Sequence, residues 1–450
     1  MRKKIVYTLL IILLIGLLFI PFKIISGKYD KQDTIILFFK EIVPVKLKNN
    51  LRNYVYELRK NLNKNKIENL QKAKWDQDLN GELIFSKIIK SNTEKKKYNV
   101  REFFLPFEQL DLSYGYAAIF NTKRAHYLET INEKTLIVSG EGEFIFFDTK
   151  NFFKDKLNQN KLDSNLLQIL EKNNFKFIGL RDLLIDRDNL YISVVLKDTN
   201  ENYTISILNA ELNYNKLNFD FFFKTNLKFK EFSIGTGGRI ESFGYNKLLF
   251  TIGHLDFLDE IQDPNHLAGK IISIDKHDKS FELVSLGHRN HQGLFYFSDK
   301  LENQFIISSE HGPKGGDEIN VNNLKNDRVI NFGWPIASYG INYDGSNPFK
   351  NSHEKYGFKE PLVNFTPSIG ISEISVVSDI DSNTIYASSL RAKSIYIVKT
   401  NKEFSEVMNL DRLIFDHRIR DLKYEEALGG FLVIFENTPS VGFIKAMINN

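Results

Sequence analysis

Polar residues able to bind a metal ion or an anionic ligand are concentrated in a few short loops. The segment EHGPKGGDEIN (residues 310–320) holds three glycines, one proline and three carboxylates between two strand-like runs. Two further polar segments precede it, GTGGR (235–239) and GHRNHQG (287–293), and NFGWP (331–335) follows it. Glycine and proline allow sharp turns, and binding residues favour loops carried on a rigid scaffold. These loops are therefore the predicted functional region.

Common motifs do not account for these loops. GTGGR lacks the last glycine of the GxGxxG dinucleotide motif and the helix that should follow it, and it has no phosphate-loop lysine. The acidic loop lacks the alternating Asp/Asn ligands of an EF-hand, and neither HExxH nor GxSxG occurs. The chain has no cysteine, which excludes disulfides, thiolate metal sites and thiol nucleophiles. A formal charge of +4 over 450 residues, with scattered lysines, argues against a nucleic-acid partner.

The elements that must position these loops are short β-strands. From residue 98 onwards, runs rich in β-branched and aromatic residues alternate with Gly, Asn and Asp clusters, which is typical of antiparallel strands. The clearest runs are KTLIVSG, EFIFFD, NLYISVVL, YTISIL, LNFDFFF, KLLFTIG, KIISID, NQFIISS, TIYASSL, SIYIVKT and GGFLVIF. Roughly twenty strands would exceed a β-sandwich, and units of four strands predict an all-β propeller, although no strict repeat is visible. Loops from every blade would then meet at one end of the propeller.

Two segments have helical character instead. Between residues 31 and 97, apolar residues recur every three to four positions at Leu51, Val55, Leu58 and Leu62. This period predicts a helical stalk or a packing helix. A dimerising coiled coil is the alternative, but the pattern fails by Ile67. Within the β region, residues 161–174 have the most helical pattern.

The amino terminus predicts a membrane segment. Arg2, Lys3 and Lys4 precede an apolar run of eighteen residues, 5–22, close to the ~20 that a bilayer span needs. The cleavage pattern after it is weak, so an uncleaved anchor is favoured over a signal peptide. Export of the following domain would place it in the periplasm of a bacterium with two membranes. The predicted parts are a membrane anchor or signal segment (1–30), a helical stalk (31–97) and a β-propeller (98–450).

The loop motifs also indicate a family. LGHRNHQGL, SSEHGPKGGDEIN and NFGWP, in this order and at this spacing, closely resemble the glucose/sorbosone dehydrogenases, with the soluble aldose sugar dehydrogenases the most similar branch. The resemblance is strongest between residues 234 and 343. It implies a six-bladed β-propeller that uses pyrroloquinoline quinone (PQQ) and calcium to oxidise aldose sugars.

The resemblance also implies which residues hold the quinone. Arg289, Asn290 and Gln292 are expected to contact PQQ or its carbonyls, and Arg289 is also a catalytic candidate. Arg418 and Arg420 match the family's late pair of cofactor-binding basic residues. PQQ is a flat tricarboxylate, and the planar guanidinium group suits such a ligand better than an ammonium group.

Other readings of these arginines remain open. Alternation along a strand would point Arg418 and Arg420 to one face. Alternatively, they are surface residues paired with Asp416 and Asp421. Arg391 falls where some family members carry a lysine, and it keeps the positive charge.

By the same resemblance, the backbone carbonyls of Gly312 and Pro313 coordinate calcium, a hard cation that prefers oxygen ligands. Asp317 and Glu318 would add negative charge nearby and order the loop. An acidic surface turn is the alternative interpretation.

The sequence departs from the family at the catalytic base. Family members carry a base histidine at the position of Gly235 and an acidic residue at the position of His254. His254 is a candidate for a relocated base, because a neutral imidazole near pH 7 suits that task. The alternative is a structural or surface histidine, which is the commoner role of a lone histidine after a strand. His266 and Asp256 are weaker candidates. His291, where the family usually has proline, and His311 lie beside the cofactor loops.

Three hypotheses follow. The first is a PQQ- and calcium-dependent aldose dehydrogenase, anchored to the membrane, with weak or altered activity because of Gly235. The second is a non-catalytic propeller that binds a ligand or partner, since fold alone does not fix function. The third is a scaffold that holds neither cofactor nor metal. The sugar and the electron acceptor cannot be named from the sequence.

Overall fold

The computed structural model describes residues 82–92, 97–107, 125–154, 156–230, 235–255, 257–325, 328–415, 417–436 and 439–445. The predicted membrane segment, residues 1–30, and the predicted stalk up to residue 81 lie outside these ranges. Within the described ranges, no helix is long and apolar enough to cross a membrane.

The described chain forms a six-bladed, all-β propeller, as predicted. Each blade is a four-stranded antiparallel unit, because short runs rich in Val, Ile, Phe and Tyr pack well on a pleated surface. Two strands precede the first complete blade: β1 (Glu82–Asn92) and β2 (Lys97–Phe104). Blade one comprises β3 (Tyr127–Ile131), β4 (Lys134–Val138), β5 (Phe144–Asp148) and β7 (Asn160–Ser164), with β6 (Lys156–Asn158) paired to β1.

The next three blades follow in chain order. Blade two comprises β8 (Phe175–Asp186), β9 (Asn189–Asp198), β10 (Tyr203–Glu211) and β12 (Asp220–Lys224), with β11 (Lys216–Leu217) beside β7. Blade three comprises β13 (Gly237–Phe243), β14 (Lys247–Ile252), β15 (Lys270–Asp275) and β16 (Phe281–Leu286), with β20 (Ile330–Asn331) beside β16. Blade four comprises β17 (His291–Ser298), β18 (Gln304–Glu310), β19 (Asp317–Asn323) and β21 (Val363–Phe365).

The last two blades close the ring. Blade five comprises β22 (Ile371–Ser378), β23 (Asn383–Ser389), β24 (Ser394–Thr400) and β25 (Val407–Ile414). Blade six comprises β26 (Ile419–Glu425), β27 (Gly430–Phe435), β28 (Ser440–Lys445) and, from the other end of the chain, β2. The innermost strands β3, β8, β13, β17, β22 and β26 contact one another in cyclic order. One helix, α1 (Leu166–Lys172), and 3₁₀ turns at Thr149–Phe153, Glu354–Tyr356 and Glu426–Leu428 complete the described elements.

Two helical predictions need correction. Glu82–Asn92 forms β1 within the predicted stalk of residues 31–97, because pairing with β2 supplies its backbone partners. Residues 161–164 of the second predicted helical stretch belong to β7, and the helix itself covers only Leu166–Lys172. In both cases long-range strand pairing overrides the local helical pattern.

Charged residues of the innermost strands line a central channel. The guanidinium of Arg239 lies 3.0 Å from Asp182 and 3.6 Å from Asp421, and it also pairs with Glu373. These carboxylates fasten neighbouring blades together: Asp182 accepts the backbone N–H of Ile240, and Asp421 accepts that of a residue in blade one. A cavity of about 40 Å³ lies among these residues. The channel therefore continues inward from the loops where the predicted site residues lie.

Candidate functional site

The predicted site loops meet at one end of the propeller. They lead into innermost strands β13, β17 and β26 or connect β18 to β19. The backbone N–H of His311 donates to the carbonyl of Asn290 over 2.9 Å, and that of His254 donates to the carbonyl of Arg289 over 2.8 Å. The N–H of Gly237 reaches the side-chain oxygen of Asn290 at 3.3 Å. The fold thus joins four loops that are far apart in sequence.

Arg418 and Arg420 share one buried carboxylate. Nε of Arg418 donates to Oε2 of Glu436 at 2.9 Å, and Nε of Arg420 donates to Oε1 of Glu436 at 2.5 Å. Both guanidinium groups therefore lie on the same side of β26, as the alternation predicted. The alternative pairing is not supported for Arg420, because the neighbouring Asp421 is engaged with Arg239. Asp416 lies outside the described residues.

A hydrogen-bonded chain connects these arginines to the first cofactor loop. Nη1 of Arg420 donates to Oε1 of Gln292 at 3.0 Å, and Nε2 of Gln292 donates to Oδ1 of Asn290 at 3.1 Å. The next residue back, Arg289, is buried, and its Nη1 donates to the carbonyls of His311 and Gly312 at 2.9 and 2.8 Å. The structure therefore brings the predicted PQQ contacts together.

Arg391 is placed differently from the other predicted arginines. It is exposed in the loop between β23 and β24, and its Nη1 donates to the carbonyl of Ser368 at 3.2 Å. No described contact joins Arg391 to the hydrogen-bonded series that contains Arg289, Gln292 and Arg420.

The glycine- and proline-rich loop is held by one carboxylate. Asp317 accepts hydrogen bonds from the N–H of Gly312 at 3.2 Å, from Oγ of Ser368 at 2.5 Å and from the N–H of Ile371 at 3.0 Å. Gly312 and Pro313 are both buried. A β-carbon on Gly312 would overlap the carbonyl of Gly315, so only glycine fits there. The predicted ordering role of Asp317 is therefore confirmed.

The imidazole of His254 fills the space in front of Gly235. A β-carbon built on Gly235 would overlap Nε2 of His254. The two loops are fastened by hydrogen bonds from the N–H of Leu255 to the carbonyl of Gly235 and from that of Gly253 to Thr236. Burial, reinforced by the nearby Arg289 cation, lowers the pKa of His254 to about 3. The imidazole is therefore neutral at physiological pH.

The other base candidates are less favourably placed. His266 is half-buried, packs against the ring of Phe257 at 4.9 Å and accepts the N–H of Ala268 within its own loop. Asp256 lies outside the described residues.

Sequence reasoning missed two residues of the site. Glu436, which orients both late arginines, has no sequence signal beyond its place directly after a strand. Trp334 belongs to NFGWP but was given no role; its indole lies 5.3 Å from the Arg289 guanidinium and 6.5 Å from the His254 ring. The position of such residues depends on which loops the fold brings together.

Comparison with known proteins gives the family. Residues 161–442, more than half of the chain, match the glucose/sorbosone dehydrogenase model. The chain belongs to the glucose/sorbosone dehydrogenase family. A curated relative of this family member is the aldose sugar dehydrogenase YliI of Escherichia coli (strain K12), 26% identical over 234 residues. That alignment covers 48% of this chain and only 60% of the relative.

Solved structures support the fold of this glucose/sorbosone dehydrogenase family member. The apo soluble aldose sugar dehydrogenase of Escherichia coli superposes with a TM-score of 0.55 at 19% identity, covering 72% of this chain and 96% of that one. The PQQ-bound aldose sugar dehydrogenase of Streptomyces coelicolor gives a TM-score of 0.51 at 16% identity, with coverage of 72% and 94%. At these identities the similarity concerns the propeller alone.

Proposed function

We propose that this protein oxidises aldose sugars with PQQ and calcium at the loop end of the propeller. The observation that carries the proposal is the convergence of Arg289, Arg418 and Arg420 on one hydrogen-bonded network beside the Gly312 carbonyl. Family membership supports dehydrogenase chemistry in general, and the PQQ-bound relative from Streptomyces coelicolor supports the choice of cofactor.

The donor groups fit a flat, anionic quinone. Among the described residues, Glu436 forms an ion pair with both late arginines, so two guanidinium charges share one carboxylate there. Among the described residues, buried Nε of Arg289, Nε2 of His311 and Nε1 of Trp334 have no hydrogen-bond partner. Buried polar atoms of this kind are normally satisfied, so these donors suit the carboxylates and carbonyls of a bound ligand.

The acidic loop fits a calcium ion only together with that anion. The Gly312 carbonyl faces the Arg289 guanidinium rather than solvent, and its oxygen has a second lone pair for a cation. A divalent cation next to a guanidinium is repelled at this range. An anionic ligand touching both would remove the repulsion, so calcium and PQQ should bind with mutual dependence.

His254 is proposed as the base that removes the sugar hydroxyl proton. PQQ held by the arginine network would supply a hydride acceptor, and calcium at the Gly312 carbonyl would supply a Lewis acid. The neutral imidazole of His254 occupies the space that a side chain at position 235 would take. Its backbone N–H donates to the Arg289 carbonyl, which holds the main chain of His254 beside the Arg289 loop.

The same histidine predicts a weak reaction. A base works best when its pKa lies near the operating pH, and the pKa of His254 is lowered to about 3. Since an effective general base contributes typically 10²–10⁴ in rate, activity well below that of an optimised enzyme is expected.

A non-catalytic propeller that binds a ligand is the second candidate function. The observation that favours it is the glycine at position 235, with the neighbouring imidazole buried against it. In that case the arginines would retain an anionic ligand without turning over a sugar.

We also propose that residues 1–30 anchor the protein in the inner membrane, with the propeller in the periplasm. The support is the apolar run of residues 5–22, close to the ~20 that a bilayer span needs, because an amino-terminal span before a large domain usually exports that domain. Fractionation of cells expressing the full chain, with protease added to spheroplasts, tests this: a cytoplasmic, protease-protected propeller would contradict it.

The activity test uses the full chain purified in detergent and reconstituted with PQQ and calcium. Reduction of a dye by several aldoses is measured with and without each cofactor. Turnover that requires both supports the dehydrogenase. Saturable PQQ binding without turnover of any aldose would support the second candidate instead.

A further inference from the structure

A buried group of two histidines and one glutamate lies directly beneath the Arg289 loop. His288, His291 and Glu310 each offer a ligand atom, and these atoms lie within 4.8 Å of one another. Nδ1 of His288 is 3.1 Å from Oε1 of Glu310, and the two imidazole rings are 4.3 Å apart. His291 and Glu310 are directly opposed in the β17–β18 pair, so the backbone fixes their approach.

The imidazole ring of one member has no hydrogen-bond partner in the described structure. The side chain of His291 is 0% exposed, and neither ring nitrogen has a hydrogen-bond partner among the described residues. An unpaired buried polar group is destabilising, because it has given up its hydrogen bonds to water without replacement. A ligand between His291 and Glu310 would remove that destabilisation.

The surrounding hydrogen bonds orient the other two side chains. Nε2 of His288 lies 2.8 Å from Oγ of Ser285, so the opposite nitrogen can present a lone pair to a metal while Nε2–H donates to the serine. Glu310 accepts the N–H of Arg289 at 2.6 Å and the amide of Asn320 at 2.7 Å. Ligating groups fixed by such outer contacts are a regular feature of metal sites.

We propose that His288, His291 and Glu310 bind a transition-metal ion of the Zn²⁺ class. Two imidazole nitrogens and one carboxylate oxygen suit zinc, cobalt or iron(II), whereas calcium prefers six to eight oxygens. In a tetrahedral zinc site the ligand atoms lie roughly 3.3 Å apart, close to the separation of His288 and Glu310. This ion is separate from the proposed calcium and does not depend on the proposed function.

The position of the site gives it a structural consequence. Its ligands flank Arg289 and join the loop before β17 to the end of β18. The ring of Phe332 covers His288 at 4.8 Å and separates the group from solvent. A bound ion would hold Arg289 in place without touching the quinone or the sugar.

The test titrates Co²⁺ into the full-length protein, purified without a histidine tag and treated with chelator, with calcium in excess. We expect one equivalent per chain, with visible d–d absorption and a raised thermal midpoint. His291→Gln should weaken the affinity by at least about 100-fold, because it removes a ligand. His277→Gln, at an exposed histidine outside the group, should bind as the wild type does.

Two results would overturn this site. One is a folded wild-type chain that binds no stoichiometric Co²⁺ or Zn²⁺. The other is undiminished binding by folded His291→Gln. If that variant does not fold, His291→Leu takes its place in the comparison. The wild-type stoichiometry is a second criterion, because adventitious binding would not give one Co²⁺ per chain.

Discussion

The imidazole of His254 occupies the space that a side chain at position 235 would fill. A glycine at position 235 leaves a gap, and the imidazole from the neighbouring loop occupies it. The two positions therefore depend on each other. A larger residue at position 235 would collide with the imidazole, and loss of His254 would remove the candidate base.

The first prediction concerns restoring a histidine at position 235. Gly235→His alone should overlap His254, lower the unfolding free energy by about 1–3 kcal/mol and give no gain in rate. Gly235→His combined with His254→Asp removes the overlap and supplies an acidic partner, so kcat should rise by about 10²–10⁴. Dye-reduction kinetics and urea midpoints measure both. A Gly235→His variant that is more active than the double variant would contradict this dependence between positions 235 and 254.

The second prediction concerns pH. Because burial lowers the pKa of His254 to about 3, the imidazole stays unprotonated and able to accept a proton throughout the range above pH 4. kcat/KM should therefore remain flat from pH 8 to pH 5, where an ordinary histidine would be only about 3% unprotonated. His254→Gln should lower kcat by about 10-fold, less than the roughly 10²–10⁴ that an effective general base contributes, with little change in PQQ affinity. A fall centred near pH 6.5, or a fully active His254→Gln, contradicts this role.

At the scale of strands, hydrophobicity predicted the outer elements and missed the inner ones. All eleven predicted runs are strands, and none of them is an innermost strand. The innermost strands carry Glu129, Asp182, Arg239, Glu373 and Asp421 into the channel, which interrupts their apolar pattern. Three of the site loops lead into β13, β17 and β26 of this innermost set, so the sequence identified those loops without showing which strands position them.

The loops themselves were partly predictable. Arg289, Asn290, Gln292 and Arg420 could be named because the family motif and the alternation of residues are local features of the sequence. Glu436 could not, because its contact with the late arginines depends on the pairing of β26 with β27. The overlap of His254 with position 235 likewise appears only in three dimensions.

The third prediction tests the loop around Gly312. Asp317→Asn weakens the acceptor for Gly312, Ser368 and Ile371, so the unfolding free energy should fall by about 1–3 kcal/mol and calcium-dependent PQQ affinity should fall with it. Asp344→Asn is the matched control, since that exposed aspartate accepts bonds only within its own turn from Ser346. Equal effects of the two substitutions on PQQ affinity would contradict the ordering role.

At the scale of the molecule, the ring is closed by chain segments more than three hundred residues apart. β2 pairs with β28, and the buried ring of Phe103 packs among residues of blades one and six. No sequence repeat predicts this closure, because the blades share a backbone fold and not a residue pattern.

The fourth prediction tests that closure. Phe103→Ala empties a fully buried position and should lower the unfolding free energy by about 3–5 kcal/mol. Leu301→Ala, at a side chain that is 82% exposed, should change it by less than about 0.5 kcal/mol. Urea denaturation of the two full-length variants compares them, and a Phe103→Ala chain as stable as the control would mean that β2 is not part of the ring.

At this scale the propeller brings Arg289, Arg418 and Arg420 together at one end, where PQQ is proposed to bind. The most direct test is a calorimetric titration of PQQ into the full-length protein with excess calcium. We expect one PQQ per chain. The affinity should be reduced about 10- to 100-fold in Arg420→Met, because this substitution removes a charge-assisted contact. Arg412→Met, whose guanidinium donates to Ser394 and Ala392 in blade five, should bind as the wild type does. A folded wild-type chain with no saturable PQQ binding, or equal affinity in all three proteins, would contradict the proposed PQQ site.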